Sequence, residues 1–510
     1  MSRVSKFVLI TPRATSPAGT PPRIHPPLGA IATLSEVMHH DVEAVLLDAA
    51  AEGLMMGKED PSYNPVETVA FGETSYWKTG LNNAEVVRRL QQLKPNVIGI
   101  SCCTVVDRGE LCGLSDAIKK AFPTTPIVLG GHEATHWYRE ILGETSYPME
   151  SAPSVDYVVI GPGQPVITGL LGFLSGTTDC VPGGVAFRNG LSVSHTDPVP
   201  FEPDSFSSLD YSLFPQVTIP GREKPLDVYS SVGNPHAGRI SALLGAQEGV
   251  VSYLPVLTSY GCGFDCAFCD TDKRLLRYGV EKVVAMVEQF SSIFGIDYID
   301  FMDNNFSGGS DRSRSIAFAI LDELANLGYP ALGFSNGLTF ESMMRDNFRM
   351  LRKFADHGNV RHIAFPCENG NDRVLRMVRK PHNTKMIRTT LSFASEELRS
   401  TNREGFFIGG FPSTDGKPAE SPEELENTLD LIGECLDRQW LNQAIFLTLS
   451  PVTREYRRIW RNLYPEAPFE HCLFSRRTGV WPFPSSLLDE MRRKVDRANS
   501  SLGRTVTRRL

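Results

Sequence analysis

The sequence predicts an α/β protein: an N-terminal doubly wound parallel sheet of Rossmann or flavodoxin type, then a partial (β/α)6 barrel of TIM type and a small helical C-terminal region. Three observations lead there. The chain has 510 residues, more than one ordinary core accommodates. Its first 175 residues alternate short apolar strands with helical patterns, as a sheet covered on both faces requires. From Leu254 the alternation resumes at spacings of 31 to 43 residues, the length of strand–helix units with loops. The boundaries expected are 1–175 for the first sheet, 176–250 for a linker with a hairpin, 251–460 for the barrel and 461–510 for the C-terminal cap.

In the first region the strand candidates are Phe7–Ile10, Val42–Leu47, Val97–Ser101, Ile127–Leu129 and Tyr157–Ile160. Between them, Val86, Leu90 and Leu93 share one helical face behind Asn82 and Asn83, which can cap it. Right-handed crossovers turn such a series into a flavodoxin-type sheet. The stretch from Gly184 to Val193 reads as a hairpin turning at Asn189-Gly190, and a Pro-, Ser- and Asp-rich connector runs from Asp197 to Pro220. Residues 216–250 carry no clear pattern.

The barrel strands are expected to begin near Pro255, Tyr298, Ala331, His362, Gly405 and Ala444. Val283, Val287, Phe290 and Phe294 form one helical stripe; Ile316, Ile320, Leu324 and Leu327 form another. Ser421-Pro-Glu-Glu424 reads as a capping box with proline at the first helical position, ahead of Leu425, Leu429 and Ile432. Six units make three-quarters of an eightfold barrel. A last helix starts near Ser485 with Leu488, Met491 and Val495 inward, followed by a basic tail, Gly503–Leu510.

Composition narrows the function. Hydrophobic residues are 41% and charged residues 22%, ordinary globular values. A net charge of −8 without an internal basic run argues against nucleic acid, and no apolar run reaches the length of a membrane span. The ten cysteines are Cys102, Cys103, Cys112, Cys180, Cys262, Cys266, Cys269, Cys367, Cys435 and Cys472. This is no short disulfide-framed secreted chain, so a reducing cytoplasm is expected.

Cys262-Gly-Phe-Asp-Cys266-Ala-Phe-Cys269 stands apart. It follows the first barrel strand, where active-site loops of such barrels lie. Thiolates are soft ligands for iron–sulfur clusters and zinc. A four-iron cluster usually takes four cysteines, so three leave one iron open. The alternatives are a zinc site with its fourth ligand elsewhere or three unrelated buried cysteines; zinc sites tend to repeat a pair of cysteines two residues apart, and no second such pair occurs, which with the spacing of three then two favours the cluster. The remaining seven cysteines read as packing residues.

The triplet resembles the signature of the radical S-adenosylmethionine (SAM) superfamily, with Phe268 in the usual aromatic position. The resemblance implies a [4Fe-4S] cluster on Cys262, Cys266 and Cys269, with SAM chelating the open iron and yielding a 5′-deoxyadenosyl radical. Later segments match later strands of that family. Phe301-Met-Asp-Asn-Asn-Phe306 resembles the second-strand motif that holds the SAM amino group, implicating Asp303, Asn304 and Asn305. Phe334-Ser-Asn-Gly337 closes the third strand, with Ser335 and Asn336. Phe365-Pro-Cys-Glu368-Asn-Gly370 resembles the fourth-strand Glu-Ser-Gly segment, with Asn369 in place of serine. Gly405-Phe-Phe-Ile408-Gly-Gly-Phe-Pro412 resembles the fifth-strand segment against the adenine. Alone, Asp303 could be a helix cap and Glu368 a solvated charge.

Ligands of a doubly wound sheet lie beyond its strand carboxyl ends. Here those ends carry Thr11, Asp48, Ser101-Cys102, Gly130-Gly131-His132 and Gly161-Pro-Gly163-Gln164. No ordered Gly-x-Gly-x-x-Gly follows the first strand, which disfavours a dinucleotide. With Pro26-Pro-Leu28-Gly29-Ala30, these pieces are similar to the cobalamin-binding domain of one radical SAM branch, and the two resemblances span most of residues 5–455. The pattern is most similar to the methyltransferases of phosphonate and phosphinate antibiotic biosynthesis. No histidine has Asp two positions before it, so no lower histidine ligand to cobalt is expected.

The resemblance implies a methyltransferase that uses two SAM molecules per turnover. One is cleaved for hydrogen abstraction and one remethylates cobalamin, whose methyl goes to an unactivated carbon or phosphorus centre of a small natural-product precursor. It also implies an external electron donor of flavodoxin or ferredoxin type. An anionic substrate would need basic side chains: Arg277 and Arg376 are the candidates, with Arg379 and Lys380 beside them, although Arg376, Arg379 and Lys380 could equally form a solvated face. Two alternatives stand. One is a non-methylating cyclisation, ring contraction or rearrangement with the same cofactors; the other is a non-enzymatic cobalamin or iron–sulfur sensor.

Overall fold

The computed structural model describes residues 4–18, 24–71, 74–103, 107–143, 153–231, 235–246, 250–329, 331–449, 452–464 and 485–501. These form two compact units. The first comprises the residues up to Ser252 with Glu288–Gly295; the second comprises Tyr253–Val287 and the residues from Ile296 onward.

The first unit is built on a seven-stranded sheet in the order Ser192–His195, Val185–Asn189, Tyr157–Val159, Ile127–Gly130, Val97–Ser101, Lys6–Thr11, Glu43–Asp48. The five strands that include Lys6–Thr11 and Tyr157–Val159 are parallel, with Phe7 beside both Ala44 and Val97. Taken in chain order they run 5-4-3-1-2 across the sheet, the flavodoxin arrangement. Successive residues of the first strand enter opposite cores: Val8 and Ile10 pack with Leu90, Ile118 and Trp137, whereas Phe7 and Leu9 pack with Leu34, Ile167 and Leu170. That period-2 division is why the strands read as continuous apolar runs. Asn82 accepts from the Glu85 N–H and Glu85 accepts in return, so the expected cap is a full capping box.

The hairpin forms with Asn189 opposite Ser192, so its turn is Gly190-Leu191, one residue later than expected, with Gly190 at φ 64°. It continues the sheet as two antiparallel strands, Val185 pairing with Val159. A three-stranded antiparallel sheet of Ala14–Pro17, Val66–Phe71 and Thr74–Thr79 was not legible as such. Its sequences VETVAF and TSYWKT mix polar and apolar residues without a sustained apolar run.

The second unit holds six parallel strands in sequential order: Tyr253–Val256, Tyr298–Phe301, Leu332–Phe334, Val360–Glu368, Asn402–Gly409 and Gln443–Thr448. Each begins within three residues of its expected start. Val283, Val287, Phe290 and Phe294 are all buried. Leu327 departs from its expected stripe: the helix Asp311–Asn326 ends before it, leaving Leu327 42% exposed. The Ser421 capping box forms with Glu424, and the helix Pro422–Asp437 buries Leu425 and Ile432. The helix Ser485–Ser501 covers the last strand. Asn499 accepts from the Ala444 N–H and donates to its carbonyl, satisfying edge backbone that would otherwise be unpaired. The side chain of Leu488 and the tail Gly503–Leu510 lie outside what is described.

Candidate functional site

In the second unit the cysteine loop is closed at its base by the short antiparallel pair Ser259–Tyr260 and Leu276–Arg277. Gly261 turns it at φ 77°, where a β-carbon would overlap the Arg274 carbonyl oxygen, so only glycine fits. Cys262 N–H donates to the Asp272 carbonyl at 2.9 Å and Cys269 N–H to the Cys266 carbonyl at 3.2 Å. Asn305 Nδ2 donates to the Cys262 carbonyl at 2.6 Å, fastening the loop to the end of the second strand. Burial raises the Cys262 and Cys266 thiol pKa.

Asp303 is fully buried at the second strand end. Its Oδ1 accepts from the Thr258 N–H at 3.0 Å, the Thr258 hydroxyl at 2.9 Å and the Ser259 hydroxyl. Its Oδ2 is buried with no hydrogen-bond partner, as is Asn305 Oδ1. Burial raises the Asp303 pKa, with Arg277 opposing. Buried acceptors are normally satisfied. Two bare ones beside the cysteine loop fit a cationic donor such as the SAM ammonium. Asn304, between them in sequence, is exposed.

Ser335 is buried, and its N–H and hydroxyl are both directed to Asp300 at 3.1 and 2.6 Å; Asn336 is exposed. Glu368 ends the fourth strand in the left-handed region, at φ 62°, and pairs with Lys380 Nζ at 2.8 Å. Strain of this kind persists only where the surroundings over-determine it and is concentrated at functional sites. Asn369, which stands where the family pattern has serine, is spent on structure. Its amide donates to the Ile408 carbonyl and to Glu420 Oε1, while Glu420 Oε2 accepts from the Gly410 and Phe411 N–H groups at 2.6 and 2.8 Å. Burial lifts the Glu420 carboxyl to about 6. The Phe268 ring lies 5.7 Å from that of Phe411.

Arg277 does not present itself to an anion. Its guanidinium donates to Ser313 Oγ at 2.6 Å and to the carbonyls of Asn305, Phe306 and Gly308, holding the second-strand loop. Arg376 is exposed on the helix Asp372–Met377, and Arg379 is exposed and paired with Asp265. Lys380 has only 13% of its side chain exposed.

In the first unit the sequence-selected residues lie at or just beyond the carboxyl ends of the five parallel strands, except Leu28 and Gly29, which lie on a helix. The order switches between Lys6–Thr11 and Val97–Ser101, the place where such sheets bind ligands. β-Carbons added at Gly29, Gly130 or Gly161 would meet nothing within 4 Å, so the glycines leave open room there. Gly131, by contrast, is packed against Cys102, and Gly163 against Thr33. Gln164 is buried, Thr11 and Ser101 are half-buried, Leu28 begins the helix Leu28–Val37, and His132 is exposed. Asp48 is engaged internally: it caps its helix through the Ala51 N–H at 3.0 Å and accepts from Tyr229 Oη at 2.7 Å. Tyr229, buried in the short helix Val228–Ser231, lies in the stretch that carried no sequence pattern. Of the scattered cysteines, Cys102, Cys367 and Cys435 are buried, Cys112 is half-buried, and Cys103 and Cys180 are exposed rather than packed; Cys472 lies outside the described residues.

Residues 256–432 match the Radical SAM superfamily. This stretch is a radical SAM domain. Among curated proteins, the chain is 24% identical over 473 residues to the cytidylyl-2-hydroxyethylphosphonate methyltransferase of Streptomyces wedmorensis, covering 88% of this chain and 80% of that protein. It is 23% identical over 444 residues to an uncharacterized methyltransferase of Pyrococcus horikoshii, covering 84% and 77%. Among solved structures, the cobalamin-dependent SAM radical enzyme OxsB, with aqua-cobalamin and SAM bound, superposes with a TM-score of 0.58 at 14% identity over 98% of this chain. The chain spans 62% of OxsB's length, and the likeness is one of fold. Among the described residues no helix is long and apolar enough to cross a membrane.

Proposed function

We propose that the chain is a cobalamin-dependent radical SAM methyltransferase acting on an unactivated carbon or phosphorus centre of a small, anionic precursor. Cys262, Cys266 and Cys269 would hold a [4Fe-4S] cluster, and the bare acceptors Asp303 Oδ2 and Asn305 Oδ1 would receive the SAM ammonium. The open positions at Gly29, Gly130 and Gly161 would receive cobalamin. When bound, the cluster with SAM supplies hydrogen-atom abstraction and the cobalamin a transferable methyl group.

The observation that carries the reading is the meeting of three buried or half-buried thiols with two unsatisfied acceptors, joined by the Asn305–Cys262 hydrogen bond. Asp303 is oriented by Thr258 and Ser259, and Arg277 holds the loop carbonyls, so the carboxylate and its loop are fixed in place. Glu420 and Asn369 tie the ends of the fourth and fifth strands, keeping the floor of the site fixed. The match over 88% of this chain to a cytidylyl-2-hydroxyethylphosphonate methyltransferase supports an anionic substrate class. Thiolate ligation of a cluster calls for a reducing compartment, so we place the chain in the cytoplasm, served by a flavodoxin- or ferredoxin-type donor.

The test is an anaerobic assay of reconstituted protein with cobalamin, SAM, reductant and cytidylyl-2-hydroxyethylphosphonate or related phosphonates. Methyl transfer yields both 5′-deoxyadenosine and S-adenosylhomocysteine and a product one CH2 heavier. Deoxyadenosine alone, with an isomeric or oxidised product, would replace methylation by rearrangement. Absence of SAM cleavage in cluster-loaded protein would reduce the chain to a sensor.

A further inference from the structure

The cysteine loop is strapped from one side by three consecutive residues. Ala267 N–H donates to the Val378 carbonyl at 3.0 Å. Arg379 pairs with Asp265 at 2.8 Å, an exposed contact worth little by itself. Lys380 Nζ stands 5.3 Å from the centre of the Phe268 ring, over the residue just before the last cysteine. The ammonium is kept there by Glu368, at 2.8 Å, from a fourth-strand end whose backbone is held at φ 62°. Both partners are nearly buried, with side-chain exposures of 13% and 8%. Water and salt therefore screen this charge less than a surface one.

We propose that Lys380 is a positioning residue that sets the reduction potential of the cluster held by this loop, its fixed cation favouring the reduced state. This rests on the radical SAM reading above and goes beyond it, because the sequence placed Lys380 only among candidates for substrate or solvent. The step concerned is the transfer of one electron from a low-potential one-electron donor, which adds one negative charge to the thiolate-bound group. A cation in a poorly screened position stabilises that added charge. Glu368, 2.8 Å from the ammonium, opposes it, but it is the Lys380 end of the pair that lies over the Phe268 ring, next to Cys269. His382, driven down to about 3 by burial and by Lys380, stays neutral and adds no competing charge.

The experiment is a redox titration of the anaerobically reconstituted full chain. Dithionite and mediators set the potential, and electron paramagnetic resonance follows the reduced cluster. Lys380→Met, with iron content equal to the parent, lowers the ratio of reduced to oxidised cluster at a fixed potential about tenfold, equivalent to about 59 mV for one electron. Lys380→Arg restores it. Glu368→Gln, which keeps the cation and removes its counter-charge, raises the ratio. Should Lys380→Met fail to take up iron, Glu368→Gln still decides. An unchanged midpoint in loaded Lys380→Met, or an unchanged or lowered midpoint in Glu368→Gln, overturns the proposal. Failure of the parent chain itself to bind iron refutes the radical SAM reading instead, which keeps the two failures apart.

Discussion

Replacing Asp303 by asparagine isolates the group that we assign to the SAM ammonium. The three donors on Oδ1, from Thr258 and Ser259, can still be met by an amide oxygen, so the loop keeps its anchor. At Oδ2, a buried bare acceptor becomes an NH2 donor facing the incoming ammonium. Hydrogen bonds to charged groups contribute about 1.5–3 kcal/mol. Loss of one such bond, at about 2 kcal/mol, weakens SAM binding about 30-fold. Anaerobic calorimetry with cluster-loaded protein reads this directly, with iron content and melting temperature as controls. Binding within about threefold of the parent, in a variant with full iron, would show that Oδ2 does not receive the ligand.

Two further outcomes follow from groups outside the cluster loop. Asp227 is fully buried, and burial lifts its carboxyl to about 6 from 3.8. A carboxyl whose folded pKa is raised favours folding below its unfolded value, and that contribution is lost as pH rises through the folded one. Between pH 4 and 7 the parent therefore loses up to about 3 kcal/mol relative to Asp227→Asn, an order-of-magnitude figure from 1.36 kcal/mol per unit. Urea titrations of both proteins across that range check it, and a pH-independent difference would contradict it. Gly130→Val places bulk where the strand ends are open, so cobalt loading falls at least tenfold while the melting temperature changes by less than about 3 °C. Undiminished cobalamin binding would move the cofactor away from these strand ends.

The parallel strands were legible because burial on both faces leaves a short apolar run, as in Phe7–Ile10, and these runs recur between helical patterns. Helix caps at Asn82 and Ser421 were legible because a capping box is local. The cysteine loop was legible because its chemistry is compressed into eight residues. What escaped depends on distant partners. Tyr229 meets Asp48 across 181 positions, and nothing near either residue announces it. Glu420 reaches Asn369 across 51 positions, so the strand-to-strand tie made by the residue in place of the family serine has no local signal. Arg277 and Lys380 looked alike as basic candidates. Only the fold shows that one is consumed by loop carbonyls and the other by a buried carboxylate. The antiparallel sheet of Ala14–Pro17, Val66–Phe71 and Thr74–Thr79 escaped because its apolar residues are few and interleaved with threonine, serine and charge.

Iron analysis of the protein with Cys262, Cys266 and Cys269 all replaced by alanine addresses the central claim most directly, read together with 5′-deoxyadenosine formation under dithionite. The parent should take up about four irons and cleave SAM, whereas the triple variant should hold no iron above background and form no deoxyadenosine. Equal iron and equal deoxyadenosine in the two proteins would contradict the account.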